Sequence, residues 1–137
     1  MNRDVWGLFH DGYVNRIDRT APDVLRLEIH IEYLRNMFPE PGTRFVVTLT
    51  ACSKFVYCGY DEQPTDDIAV IQAREPEILY INSLDPLVLD CADGTLELAY
   101  EAMTVALESG QPVTEDALIQ ASEKYWKDFA SRTERDT

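Results

Sequence analysis

Cationic side chains are scarce in this chain: 12 Lys and Arg stand against 25 Asp and Glu, a formal charge of −13. Binders of the nucleic-acid backbone or of anionic lipid need a net basic surface, so neither partner is expected. Histidine occurs twice, at His10 and His30, and cysteine three times, at Cys52, Cys58 and Cys91. No C-x-x-C is present, which leaves no zinc knuckle and no redox dithiol pair. Three thiols of this kind fit small buried hydrophobes in a reducing compartment. The six glycines are all isolated and build no phosphate cradle, and no G-x-S-x-G elbow occurs. No apolar window approaches the roughly 18 residues of a membrane span. Asp11 interrupts the N-terminal apolar residues too early for a signal peptide. A cytoplasmic protein is expected.

What the chain does have is core-forming material. Its 137 residues are 45% hydrophobic and include seven Tyr, five Phe and two Trp, far too many for a disordered acidic tail. With no repeat and no linker, residues 1–137 read as one domain. Strict alternation from Leu25 to Tyr33 sets Leu25, Leu27, Ile29, Ile31 and Tyr33 on one face and Arg26, Glu28, His30 and Glu32 on the other, the mark of a half-buried strand. Tyr13–Asp18 pairs with it as a hairpin. Arg44–Ala51 continues the pattern, and Phe55–Cys58, Ile68–Ile71, Ile78–Ile81 and Leu87–Cys91 are short β-favouring runs. Asp93-Gly94 is a hairpin turn into Thr95–Tyr100. Past Ala102 the period fits either a bulged strand or a helical turn.

The C-terminus switches to helical spacing. Thr114 is a good N-cap, with Glu115 and Asp116 where the helix dipole favours negative charge. Leu118, Ala121, Tyr125, Trp126 and Phe129 then form one stripe. The expected fold is α+β, an antiparallel sheet of about six to eight strands with one C-terminal helix packed on a face.

The acidity is local. Residues 1–54 hold seven bases and seven acids; residues 55–123 hold fifteen acids and one base, Arg74; residues 124–137 hold four bases and three acids. A net charge well away from zero serves solubility, but so lopsided a segment also suits recognition of a basic protein, since acidic patches steer encounter. The loop acids Asp61, Glu62, Asp66 and Asp67, with Tyr60 and Tyr80 among acids, form the candidate partner-binding set, tyrosine being enriched at interfaces. Their spacing fits no EF-hand loop.

Catalytic chemistry finds little to work with. His30-Ile31-Glu32 matches the H-x-E of zinc deaminases, but the accompanying P-C-x-x-C is missing. His10-Asp11-Gly12 lacks the further ligands of an HD-type phosphohydrolase. No catalytic residue, metal or cofactor is assigned. His10 and Asp11 are kept as an alternative ligand site of a small enzyme or binding domain.

Trp6-x-Leu8-x-His10-Asp11-Gly12, followed by strands ending Ile31-Glu32-Tyr33-Leu34, resembles small acidic bacterial α+β domains that include immunity proteins of polymorphic toxin systems. The resemblance covers residues 6–34. It implies a non-enzymatic protein that binds and blocks a toxin domain, and assigns no binding residue. A monomer or homodimer is expected; a self-associating scaffold is a further alternative, because open antiparallel sheets leave edges that can pair.

Overall fold

The computed structural model describes residues 1–135. The architecture is α+β, with antiparallel pairing throughout and a C-terminal helix. A 3-10 helix, Arg3–Phe9, precedes β1 (Tyr13–Ala21) and β2 (Val24–His30), a short helix α1 (Glu32–Arg35), β3 (Arg44–Thr50) and β4 (Lys54–Gly59). Helix α2 (Ile68–Arg74) leads into β5 (Ile78–Leu84), β6 (Leu87–Cys91), β7 (Gly94–Ala99), β8 (Ala102–Leu107), β9 (Pro112–Val113) and α3 (Glu115–Arg135).

These strands make two sheets. One has the order β1-β2-β3-β8-β9 and the other β4-β7-β6-β5. The inner positions of both enter a single core: Val14, Ile17, Leu25, Leu27, Ile29, Phe45, Val47 and Leu49 from one, Phe55, Tyr57, Ile78, Leu87, Leu89, Leu96 and Leu98 from the other. The chain crosses between sheets twice at one corner, after β3 and after β7. There Ser53 N–H donates to the Ala99 carbonyl (2.9 Å) and Glu101 N–H to the Thr50 carbonyl (3.0 Å). Ala51, in a left-handed conformation at φ 49°, makes the first bend. Trp6, fully buried, donates from Nε1 to the Tyr100 hydroxyl (2.8 Å) and ties the 3-10 helix to the second crossing.

Each sheet edge is interrupted by a side chain, a loop or a short strand, a feature that limits edge-to-edge aggregation. Along β5, Arg3 donates to the Leu84 carbonyl (2.9 Å), His10 Nδ1 to the Leu79 carbonyl, and Asp11 N–H to the Ile78 carbonyl (2.8 Å). On β1, the Gln72 side chain of α2 accepts from Ile17 N–H (2.8 Å). An isolated bridge between Tyr57 and Thr65 shields β4. Strand β9 is two residues long and begins with Pro112, which has no N–H.

Several local expectations need correction. The strand read to Tyr33 ends at His30, because Ile31 N–H turns to the Thr43 carbonyl and Arg35 N–H closes a helical turn on Ile31. The reason is Arg35, wholly buried, whose guanidinium donates to the carbonyls of Arg44 (3.0 Å), Glu40 (2.6 Å) and Pro41 (3.3 Å). Ile68–Ile71 is helix and not strand: the Asp67 carboxylate accepts from Ala69 N–H (3.0 Å) and Val70 N–H (3.3 Å), a helix N-cap. Beyond Ala102 the chain is a strand, β8. The strands divide between two sheets, and α3 makes its closest backbone approaches to the 3-10 helix and α1.

Candidate interaction surface

The outward side of the four-stranded sheet follows from its register. Tyr80 pairs with Asp90, Asp90 with Thr95 and Thr95 with Cys58, so these four cross the sheet in one row. Val88, Glu97 and Val56 form the next. Tyr80 is 58% exposed and hydrogen-bonds Asp90, and that bond, with the nearby charge, raises its phenol above the ordinary value. Asn82 donates its amide to both Asp90 oxygens, 3.2 Å each. The Asp90 carboxylate is thereby held facing outward while Tyr80 stays bared. Tyr60, 66% exposed, stands close enough to Tyr80 to add to the same shift. Basic side chains on this side, Lys54 and Arg74, are paired with Glu97 and Glu62.

The acidic loop folds back along β4, and its members have different roles. Glu62 accepts from Arg74 Nη1 at 2.7 Å, and this bond raises the guanidinium pKa further. The same guanidinium lies over the Tyr57 ring, 5.3 Å from its centre. Asp67 is committed to the α2 cap. Asp61 is exposed at φ 60° and Asp66 is exposed beside Lys54 and Arg19 in a shallow polar hollow. Asp61 and Glu62 therefore sit at the Tyr60 end of the face, whereas Asp66 and Asp67 lie farther back along the loop. Asp90 was not singled out from sequence; its signal was the acid beside the Asp93-Gly94 turn.

The alternative site lies at the other edge of the fold. His10 caps the outer edge of β5, and its Nε2 is 3.4 Å from Asp11. Asp11 shares an open cleft of about 390 Å³ with Tyr13, His30, Glu32 and Tyr33, and His30 Nε2 is 3.4 Å from Glu32. Sequence spacing gave no sign that Asp11 and His30 meet here; the β1–β2 hairpin brings them together through its Tyr13–His30 pair. Tyr33 donates to the His10 carbonyl (2.7 Å), and burial pushes its phenol up to about 12. Two thiols are poor nucleophiles: burial raises Cys52 and pushes Cys91 up to about 12. Among the described residues no group of three His, Cys, Asp or Glu could hold a metal ion, and no helix is long and apolar enough to cross a membrane.

Compared with protein-family models, curated proteins and solved structures, the chain matches none.

Proposed function

We propose that this chain is a non-enzymatic protein-binding module whose outward four-stranded sheet face takes a basic protein, with toxin neutralisation as one concrete form. The supporting observation is the Tyr80–Asp90–Asn82 constellation beside Tyr60. It bares two large amphipathic rings and fixes an unneutralised carboxylate between them. Exposed tyrosine contributes contact area at low entropic cost, and a fixed carboxylate contributes orientation and faster encounter with a cation. Fifteen acids in residues 55–123 supply the longer-range field. The setting is cytoplasmic.

A tagged chain is incubated with lysate of its native host and washed at low and then high salt, beside the Tyr80→Ala and Asp90→Asn variants. A basic protein held at low salt, released at high salt and lost from both variants supports the reading. Retention of the same protein by both variants, or capture insensitive to salt, overturns it. The second reading, a ligand site at the cleft of Asp11, His30 and Glu32, is favoured by one observation: two histidine–carboxylate pairs flank one concavity. It requires that His30→Ala abolish ligand binding while leaving the urea midpoint near wild type.

A further inference from the structure

Helix α3 is 21 residues long, about 31 Å. Among the described residues its buried positions are Leu118 and Ala121, both in the first two turns. Beyond them the apolar stripe continues. Tyr125 lies 4.6 Å from Tyr33 with the rings tilted at 40°, Trp126 lies 5.0 Å from Tyr125, and Phe129 lies 5.8 Å from Trp126. Trp126 is 46% exposed and Ile119 37%, on the same flank of the helix. Single exposed apolar residues are ordinary, but a contiguous aromatic cluster on an overhanging helix marks an interface. Helices take most of their stability from packing an amphipathic face, so this overhang gains from a cover.

Charge selects the cover. Two copies at −13 repel over most of their surface. Residues 1–54 balance their charges, and residues 119–132 carry a small cationic excess, with Lys124, Lys127 and Arg132 against Glu123 and Asp128. We infer that this face pairs with the same face of a second copy, as a two-fold antiparallel helix contact centred on Trp126. In that register Lys124 of each copy lies opposite Asp128 of the other, the reciprocal pairing a two-fold interface demands. The sheet edges offer only short stretches for pairing, whereas α3 offers a contiguous aromatic stripe. The inference does not rest on the sheet-face reading.

Sedimentation equilibrium of the full chain up to about 100 μM, well above a micromolar Kd, tests it. The expected result is a dimer that tightens from low to about 0.5 M salt, as screening relieves the net repulsion. Trp126→Glu is expected to weaken it at least tenfold while the diluted monomer keeps its fold by circular dichroism, since the ring is half exposed. Tyr80→Glu, on β5 of the four-stranded sheet, leaves the mass unchanged. Lys124→Glu weakens the dimer, and adding Asp128→Lys restores it. A monomeric wild type, or a dimer that survives Trp126→Glu, overturns the inference. Basic-partner binding weakens with salt where this dimer tightens, so the two readings fail independently.

Discussion

The two sheets present opposite outer faces. On the five-stranded sheet the charges are matched: Arg16 reaches Asp18 (3.0 Å) and Glu28 (3.5 Å), Arg26 reaches Asp18 (3.9 Å), and His30 faces Glu32. At its end the buried Arg35 lies 3.7 Å from both Glu40 and Glu108. On the four-stranded sheet Asp90 is ordered by neutral groups, and Asp61 and Asp66 make no ion pair among the described residues. Inner faces are alike, both apolar and both feeding one core. The folding requirement is therefore met in the same way twice, and the outer faces differ for another reason. Charge on the first sheet is structural. Charge on the second is spent at Glu97 and Glu62 but not at Asp61, Asp66 and Asp90, and unspent charge held in fixed geometry is what a binding surface offers.

The largest expected effect breaks the structural side. Arg35→Met removes a buried cation and leaves three carbonyls and two carboxylates without their donor. Urea denaturation is expected to show a loss of about 3–5 kcal/mol, the usual consequence of removing one partner from a buried pair. A loss below about 1 kcal/mol would refute the view of Arg35 as organiser of the loop from Asn36 to Thr43.

Glu108 sharpens the same side through pH. Its carboxylate accepts from Thr43 N–H (2.8 Å) and Arg44 N–H (2.9 Å), and these bonds, led by the one to Arg44, hold it below its ordinary 4.5 despite partial burial. A depressed carboxyl stabilises the fold above its unfolded value and ceases to do so as pH falls through the lower folded value. Glu108→Gln should therefore be less stable than wild type at pH 7, and the gap should close below pH 4.5. An unchanged gap in acid would show that the charge of Glu108 is irrelevant.

Asp67 lies at the border between the two kinds of charge. As an N-cap it contributes about 1 kcal/mol, so Asp67→Ala should cost that much and Asp67→Ser little. Thermal melts of the two variants decide it. Equal losses would mean the carboxylate acts through charge and not through its two hydrogen bonds.

What the sequence displayed follows from these roles. Strands β2 and β3 were legible because one face is wet and one dry, which writes period two into the residues. Strand β7 and its turn were legible for the same reason. Helix α2 was not, since Ile68-Ala69-Val70-Ile71 is a short apolar run that fits either period, although the Asp before it was a readable cap. Helix α1 was hidden because Tyr33 keeps the parity of the preceding strand and Arg35 looks like a surface residue; its partners are carbonyls that only the tertiary fold supplies. The division into two sheets was invisible at Ala51, where a left-handed bend is made without glycine. In the candidate surface the loop acids were visible as charge. Their different roles were not, because Arg74 reaches Glu62 across twelve residues and Asp90 faces outward through a cross-strand register.

The smallest expected change in stability tests the unspent charge itself. Reversing the whole loop would confound the answer, since Asp67 caps α2 and Glu62 holds Arg74. Asp61 occupies a left-handed conformation that Asn tolerates and Lys does not readily adopt. The informative variant is therefore Asp61→Asn with Asp66→Lys, which removes three units of negative charge and disturbs no hydrogen bond or ion pair seen here. Its stability should stay within about 0.5 kcal/mol of wild type, as for surface positions without partners. Association with a basic partner should nevertheless slow, and the slowing should fade as salt rises, because rim charges act mainly on the encounter rate. Stopped-flow association at two ionic strengths reads this directly. An unchanged rate at low salt would remove the loop from the binding surface and leave Tyr60, Tyr80 and Asp90 to account for it alone.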